Sequence, residues 1–304
     1  MRAELCNALV GRSGKPDMVF LTGDLGFMAL EPLREAMGER FINCGVAEQN
    51  MVSVAAALAK EGLEVWAYSI APFCYARAFE QIRNDVCLHG LPVRLLGNGG
   101  GYGYGVMGAT HHALEDYGIL LTLPAMTAYT PAFNEDIDAV VARAGSSTRP
   151  CYVRLGRGEL PAGVAAPPYA PWRRLADGPG PVVIVAGPLA GSALGVLPTL
   201  GDCRPALWVA AELPFEHAPL PAELVDRIGS SRRLCVIEEH VAHGGLGAML
   251  AQHVLETGIA PAVYRHLCAR GYPSGRYGSQ AYHRRDSGLD PDAIRKAILE
   301  MIAL

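Results

Sequence analysis

An acidic residue at the point where a strand turns into a helix is the first feature of this sequence that suggests chemistry. The run FINCGVAEQNM, residues 41–51, reads as a short strand, a glycine turn and a helix that carries Glu48 in its first turn. Acidic residues at this position often do no more than complement the helix dipole. The same carboxyl would also lie at the carboxyl edge of a parallel sheet, where open α/β folds bind their ligands. Physical reasoning alone leaves both interpretations open.

A glycine-rich loop follows a later strand and ends in two histidines. Residues 97–112 read GNGGGYGYGVMGATHH, a spacing that fits neither the dinucleotide-binding nor the P-loop fingerprint. His111 could form a hydrogen bond with a substrate or carry a proton. His112 could equally cap a helix or lie on the surface.

Two segments near Glu48 offer further candidates, each with a purely structural alternative. TGDLG, residues 22–26, ends the first predicted strand, and its Asp24 is either the cap of a tight turn or a ligand contact. YSIAPFCYARAFEQIR, residues 68–83, contains the aromatic residues Phe73 and Tyr75 at a predicted helix start, where a core position is the structural interpretation.

Two arginines close the last strand of this half of the chain, in YVRLGRG. A guanidinium can bind phosphate oxygens in pairs, so Arg154 or Arg157 could hold an anionic substrate. Either one could instead form a structural ion pair. Strand alternation places them on different sides of the turn.

The elements that must position these residues alternate between strand and helix. This alternation predicts an α/β fold with two doubly wound domains, each a mainly parallel sheet covered by helices. Prolines at positions 161, 167, 168, 171, 179 and 181 predict a linker, so we divide the chain into domains 1–160 and 181–304 with a linker at 161–180. The predicted strands are 18–22, 41–44, 64–68, 92–97, 126–129, 151–155, 182–186, 206–210, 234–238 and 263–267. The clearest predicted helices are 47–60, 72–89, 133–145, 245–256 and 291–302.

Composition narrows the class of protein. A formal net charge of −4 and the lack of a Lys/Arg run argue against a nucleic-acid partner, and the apolar stretches are too short to span a bilayer. The eight cysteines form no Cys-x-x-Cys pair and no metal-ligand spacing with the nine histidines, which indicates buried thiols in a reducing cytoplasm and no metal site. Cys44 and Cys74 lie near the candidate site, but nothing marks either as a nucleophile.

The motifs together resemble the transketolase family, which includes deoxyxylulose-phosphate synthases and two-subunit archaeal-type transketolases. The run GVAEQNM, residues 45–51, is similar to that family's Gly-Ile-Ala-Glu-Gln-Asn-Met signature, whose glutamate contacts N1′ of the thiamine aminopyrimidine. The resemblance implies thiamine diphosphate as cofactor and favours the catalytic interpretation of Glu48.

The resemblance also implies roles for the other candidates. Asp24 and Leu25 would lie beside the thiazolium ring. Phe73 is the aromatic residue that matches the one stacked on the aminopyrimidine, and Tyr75 could compete for this role. His111 matches a histidine that faces the sugar, and Arg157 matches an arginine that binds the substrate phosphate. His112 has no match. The segments around residues 238–240, 244–247 and 275–278 resemble the family's C-terminal domain, where we expect solvated surface or interdomain pairing and no chemistry.

Two departures from the family matter. Sugar-phosphate enzymes of the family usually carry Asp where this chain has Met107, and an apolar side chain cannot accept a hydrogen bond from a sugar hydroxyl. This departure allows a deoxy, branched or otherwise modified substrate. The Gly-Asp-Gly motif that holds the cofactor's diphosphate through Mg²⁺ on a preceding domain is absent from the sequence. The resemblance therefore implies a split gene, with Mg²⁺ held by a separate N-terminal diphosphate-binding subunit in an α2β2 assembly.

These observations predict the thiamine-diphosphate-binding subunit of a heteromeric transketolase-like enzyme that transfers a two-carbon ketol unit from a ketose to an aldehyde. One alternative uses pyruvate as donor, as deoxyxylulose-phosphate synthase does, and would release CO₂. Another is the β subunit of a 2-oxoacid dehydrogenase, against which the Gly-Ala-Thr-His loop argues. A non-catalytic structural subunit is the alternative from a different class.

Overall fold

The computed structural model describes residues 1–303 as two mostly parallel sheets with helices between their strands. The predicted α/β fold with two such units is confirmed. The strands are β1 Met18–Thr22, β2 Phe41–Asn43, β3 Glu64–Ile70, β4 Val93–Asn98, β5 Thr127–Tyr129, β6 Cys151–Leu155, β7 Trp172–Ala176, β8 Val182–Ala186, β9 Ala206–Ala210, β10 Glu212–Leu213, β11 Arg233–Val241 and β12 Val263–Ala269.

The first sheet has seven strands in the order β10-β5-β6-β4-β3-β1-β2, and β1 to β6 run parallel. Every residue of β1, β3 and β6 is buried. Strands covered on both faces need continuous apolar runs, which is why these segments show no alternation in the sequence. In register, Tyr68 of β3 pairs with Thr22 of β1 and with Leu96 of β4.

Twelve helices within residues 1–303 connect and cover the strands. They are α1 Arg2–Arg12, α2 Glu31–Met37, α3 Glu48–Lys60, α4 Ala71–Tyr75, α5 Phe79–Gln81, α6 Asp116–Leu120, α7 Ile137–Ser146, α8 Leu189–Val196, α9 Ala222–Ser231, α10 Leu246–Glu256, α11 Gln280–Ser287 and α12 Pro291–Ile302. Short 3₁₀ turns cover Gly38–Arg40, Gly105–Met107, Asn134–Asp136, Leu197–Thr199 and Gly201–Cys203.

The predicted continuous helix over 72–89 is wrong. The segment consists of α4, α5 and a π-helical stretch Ile82–Cys87, in which Leu88 N–H donates to the Arg83 carbonyl. π-helical turns occur often at functional sites. A separate interruption lies between α4 and α5, from Tyr75 to Phe79, and this stretch contains Arg77.

The second sheet has five strands in the order β12-β11-β8-β9-β7, with β7 antiparallel to β9. Strand β7 lies inside the predicted linker, so residues 172–176 are part of a sheet. The sequence did not predict this strand because it contains two arginines and follows several prolines. Edge strands tolerate both residue types. The domain boundaries themselves stay a prediction.

Strand β10 ties the two units together. It follows β9 of the second sheet in the chain but pairs antiparallel with β5 of the first, Glu212 opposite Tyr129 and Leu213 opposite Ala128. The later part of the chain therefore contributes the edge of the earlier sheet, and the two units share a packed interface.

Candidate functional site

The loops after β1, β2, β3 and β4 meet at one edge of the first sheet, because the carboxyl ends of parallel strands lie together. We call this the carboxyl edge, formed by residues 23–30, 44–48, 71–77 and 99–112. It collects five of the six predicted site residues, and the sixth, Arg157, follows β6, whose carboxyl end lies at the same edge of the sheet.

Glu48 is the first residue of α3, and its side chain points into the fold with only 1% exposed. Ser69 Oγ donates to Glu48 Oε1 at 3.2 Å, and Arg77 Nη1 donates to Oε2 at 2.7 Å. Complementing the helix dipole would account for an acidic residue here but not for its burial, since a surface carboxylate does that without losing its hydration. The structure thus presents a buried carboxylate with one charged partner.

Arg77 connects Glu48 to two further predicted residues. Its guanidinium carbon lies 4.1 Å from the centroid of the Phe73 ring. The His111 ring meets the same Phe73 ring edge-on, with the centroids 5.2 Å apart. Glu48, Phe73 and His111, which come from three separate segments of the chain, therefore form one cluster: Arg77 contacts Glu48 and Phe73, and Phe73 contacts His111.

The turn after β1 packs against this cluster. Asp24 adopts a left-handed backbone, φ 58°, and exchanges hydrogen bonds with Asn43, whose amide nitrogen donates to Asp24 Oδ1 at 2.8 Å. A Cβ built on Gly23 would lie 3.4 Å from the Glu48 side chain, so the turn rests directly on the carboxylate. Leu25 is half-buried, and its carbonyl accepts from the Thr22 hydroxyl at 2.9 Å.

The glycine-rich loop places its two histidines in opposite surroundings. His111 is half-buried at the carboxyl edge, with Thr110 Oγ1 2.9 Å from its Nδ1 and the Tyr104 ring centroid 5.8 Å away. His112 is buried, with Nδ1 2.8 Å from the Tyr272 hydroxyl and Nε2 2.8 Å from the Gly105 carbonyl. Burial lowers the pKa of His112 below its ordinary value, so it is a neutral structural residue.

The two arginines after β6 also separate. Arg154 is buried, and its Nε donates to Asp116 Oδ2 at 2.8 Å, so it forms the structural ion pair that the sequence left open. Arg157 is exposed, and within residues 1–303 its side chain makes no hydrogen bond or ion pair. The structure therefore leaves Arg157 available to a ligand but does not join it to the Glu48 cluster, and its role stays a prediction.

The second unit supports the glycine-rich loop from behind. Glu239 is buried, accepts from the Tyr102 backbone N–H at 2.7 Å and pairs with Arg284. Glu238 is buried as well and accepts from the Tyr117 hydroxyl. The expected solvated surface is therefore wrong for both glutamates, and the alternative of interdomain pairing describes them.

We call this set of buried charges the interdomain seam, consisting of Asp116, Tyr117, Arg154, Glu238 and Glu239. Burial alone would raise the pKa of Glu238, but hydrogen bonds from His266 and Tyr117 and the nearby His240 outweigh it and lower the pKa. Tyr277 continues the support outward, since a Cβ on Gly108 would touch its ring at 3.3 Å. The second unit thus fixes the loop that carries His111.

Sequence reasoning missed Arg77, Ser69 and Tyr104. Arg77 lies in a segment that we identified by resemblance, but its position gave no sign that it would turn back 29 residues to Glu48. The available signal was local: Arg77 comes four residues after Phe73, the predicted stacking ring, in a segment that follows α3, the helix that begins at Glu48.

Metal and thiol chemistry receive no support from the part of the chain that the structure describes. No group of three or more His, Cys, Asp or Glu side chains in residues 1–303 could hold a metal ion. Cys74 lies close to Glu48, but burial raises its pKa to about 12, which disfavours the nucleophilic thiolate. In the same residues, no helix combines the length and apolar character needed to cross a membrane.

Comparison with known proteins matches the first part of the chain to a described domain. The family model described as "Transketolase, pyrimidine binding domain" matches residues 12–162. A curated relative, one of the subunits of the apulose-4-phosphate transketolase from Phocaeicola vulgatus, is 28% identical over 296 residues, which cover 94% of this chain and 92% of the relative. The second, 1-deoxy-D-xylulose-5-phosphate synthase 2 of Geobacter sulfurreducens, is 34% identical over 275 residues, but these cover 87% of this chain and only 42% of that protein.

Solved structures extend the match to the second unit. A structure titled "Split gene transketolase, inactive beta4 tetramer" aligns with a TM-score of 0.85 and 28% identity, covering 100% of this chain and 98% of that one. Transketolase from Leishmania mexicana shares the fold with a TM-score of 0.77 at 16% identity, covering 99% of this chain and 45% of that one. Both sheets therefore have counterparts in solved structures of this fold.

Proposed function

Because the chain belongs to the transketolase family and corresponds to the C-terminal subunit of its split members, we propose that it binds thiamine diphosphate in a two-subunit enzyme. In this proposal the enzyme transfers a two-carbon ketol unit from a ketose donor to an aldehyde acceptor. The observation that carries the proposal is the buried Glu48 carboxylate, clustered with Phe73 and His111 at the carboxyl edge.

The residues at this edge fit the aminopyrimidine half of the cofactor. Glu48 offers a buried acceptor oxygen. The Arg77 guanidinium that binds this oxygen also lies over the Phe73 ring, so the carboxylate and the ring are close together. Arg77, a flat N–H donor, contacts both residues at once, and an aminopyrimidine is also flat and can share a proton between its N1′ and a carboxyl group. The carboxyl group and the aromatic ring are thus chemically suited to such a ligand.

Thiamine diphosphate, when bound, supplies the electron sink that ketol transfer requires. Glu48 would hold a hydrogen bond to N1′ of the aminopyrimidine and exchange a proton there. Phe73 would stack on that ring, and the turn at Asp24 and Leu25 would lie beside the thiazolium. His111, already oriented by Thr110, would face the sugar.

The substrate is proposed to be held by Arg157 through its phosphate, since an exposed guanidinium can bind phosphate oxygens in pairs. Met107 is 54% exposed on the same loop as His111 and offers no hydrogen-bond acceptor from its side chain. We therefore propose a sugar phosphate that lacks or relocates the hydroxyl that the usual Asp would bind.

A partner subunit is proposed to complete the site with the diphosphate and its Mg²⁺. Large apolar side chains surround the carboxyl edge without cover: Phe27 is 87% exposed, Met28 90%, Val46 76% and Val106 74%. Exposed apolar residues that surround a polar site are typical of a binding surface. A solved relative that is a tetramer of beta chains alone is described as inactive, which supports the need for a second kind of subunit. An α2β2 assembly in the cytoplasm is the corresponding proposal.

The second candidate function is a transfer that uses pyruvate as donor. It is supported by 34% identity to a 1-deoxy-D-xylulose-5-phosphate synthase, although the chain spans less than half of that protein. The relatives that match nearly end to end carry a transketolase name, which favours the ketose donor. Release of CO₂ from pyruvate by the assembled enzyme would select the second candidate.

The test is calorimetric titration of thiamine diphosphate with Mg²⁺, on this chain alone and after co-expression with the product of the neighbouring reading frame. We expect tight binding only by the complex. Glu48→Gln should lower the transfer rate by about 10²- to 10⁴-fold, the range of general acid–base catalysis. Glu61→Gln, which removes an exposed carboxyl at the other end of α3, is the matched control and should leave the rate unchanged. A folded complex without cofactor binding, or full activity of Glu48→Gln, would refute the proposal.

A further inference from the structure

We propose that Arg77 is a placeholder in the cofactor site: in the chain alone its guanidinium occupies both positions that the aminopyrimidine would take. The inference rests on the proposed function. It adds that the site is closed by the chain's own side chain, and that this side chain has to turn outward before the cofactor can bind.

The geometry gives one group two contacts. Arg77 Nη1 donates to Glu48 Oε2 at 2.7 Å, and the guanidinium carbon lies 4.1 Å from the Phe73 ring centroid. A guanidinium stacks on an aromatic ring and bonds a carboxylate in the same plane. The aminopyrimidine would need the same carboxylate and the same face of the Phe73 ring. Arg77 and the ligand therefore cannot occupy the site at the same time.

Burial explains why a placeholder is useful. The Glu48 side chain is 1% exposed, and a buried carboxylate without a charged partner is costly. Within residues 1–303, the Ser69 hydroxyl is the only other side chain that donates to it. Arg77 therefore stabilises the empty site and keeps the carboxylate in place for the ligand.

Arg77 is also able to leave. Its side chain is 42% exposed, in contrast to the carboxylate that it binds. It lies between α4 and α5, where the helical segment is interrupted, so the side chain can turn into solvent without breaking a helix. Its only side-chain hydrogen bond in the described part of the chain is the one to Glu48.

The first experiment measures the affinity and the association rate of thiamine diphosphate with Mg²⁺ for the co-expressed complex and its variants. Arg77→Ala should bind about tenfold more tightly, because the cofactor no longer displaces an ion pair, and it should bind faster. Arg83→Ala is the matched control: it removes an exposed arginine six residues further on, whose Nε donates only to neighbouring Asn84. The control should match the natural complex.

A second experiment tests the pair without cofactor. In the chain alone, a double-mutant cycle of Arg77→Ala and Glu48→Gln in chemical unfolding should show coupling, because Arg77→Ala destabilises the chain only while Glu48 is a carboxylate. Arg77→Lys keeps the charge and the fold but loses the flat guanidinium, so its affinity for the cofactor should fall between those of the natural complex and Arg77→Ala.

The outcomes separate the two proposals. Unchanged or weaker cofactor binding by Arg77→Ala, in a complex whose natural form binds, would overturn the placeholder alone. Absence of coupling in the cycle would do the same. No binding by any folded complex would overturn the proposed function and this inference with it.

Discussion

The carboxyl edge and the interdomain seam are neighbouring regions that both pair a buried carboxylate with an arginine, but they differ in how far the arginine is buried. At the seam, Arg154 is 4% exposed and donates to Asp116 and to two backbone carbonyls, and Asp116 is fully buried and accepts from Arg154 and Tyr152. At the edge, a half-exposed arginine meets the buried carboxylate of Glu48, and Phe27 and Met28 project into solvent. At the seam, the chain buries both partners of the ion pair, whereas at the edge one partner and the neighbouring apolar side chains remain exposed.

The difference shows how the fold divides its tasks. Arg154 Nη2 donates to the carbonyls of Ala113 and Glu239 at 2.8 Å each, so one side chain joins the glycine-rich loop region to the second sheet. This fixed support lets the rim around His111 keep exposed apolar and half-exposed polar groups. The seam provides rigidity, and the edge keeps groups free for a ligand and a second subunit.

The largest expected effect comes from breaking the seam. Arg154→Met should lower the free energy of unfolding by about 3–5 kcal/mol, because it leaves Asp116 charged, buried and without its cationic partner. The measurement is the denaturant midpoint and slope of the chain in urea. Gly100 packs against the Arg154 side chain, so the glycine-rich loop should also become more accessible to protease.

The control is an exposed ion pair of similar chemistry. Arg174 pairs with Glu223, and both side chains are more than a third exposed, so Arg174→Met should cost no more than about 1 kcal/mol. Equal losses for the two variants would mean that burial does not distinguish the seam from the surface.

The next largest effect is expected at the carboxyl edge, from the aromatic ring of Phe73. Phe73→Leu keeps most of the volume but removes the aromatic face, so the cofactor affinity of the complex should fall about tenfold, or about 1.4 kcal/mol. The free energy of unfolding should change by less than about 1.5 kcal/mol. Calorimetric titration and urea unfolding measure the two quantities separately.

Phe79→Leu is the paired control, since Phe79 is also half-buried on the same segment and packs on the core. It should leave cofactor affinity unchanged. If both variants lose affinity equally, the effect belongs to the packing of the segment and not to stacking by Phe73.

The two regions also differ in how far the sequence predicted them. Strands that are buried on both faces leave an unmistakable apolar run, and 18–22, 151–155, 182–186 and 206–210 were predicted residue for residue. At the edge, the strand-to-helix position of Glu48 follows from local spacing, and the structure places Glu48 in one cluster with Phe73 and His111.

What could not be predicted depends on contacts between distant parts of the chain. Arg154 and Asp116 are 38 residues apart, and Glu239 meets Tyr102 across 137 residues, so no local pattern marks the seam. Arg77 was missed for the same reason. Strand β7 was missed because its partner β9, and not its own composition, makes it a strand.

The smallest effect is a pH dependence that originates where the seam meets the loop. His112 is 4% exposed, and its pKa lies below the ordinary 6.5 because burial disfavours the charged ring. The nearby His283 and His111 add to this effect, and the Gly105 carbonyl and Glu239 oppose it. The unfolded chain therefore binds a proton more readily than the folded chain. The contribution of neutral His112 to stability is full above about pH 6.5 and is lost as the pH falls toward the lowered pKa of the folded chain.

His112→Gln removes this titration. Between pH 7.5 and 5.5 the natural chain should lose stability faster than the variant, by at most about 1.4 kcal/mol per pH unit, since one proton is involved. Unfolding midpoints at several pH values measure the difference, and exposed His89→Gln, which should keep the natural slope, is the control. The same slope in His112→Gln would show that the proton is taken up elsewhere, and that burial does not keep this histidine neutral.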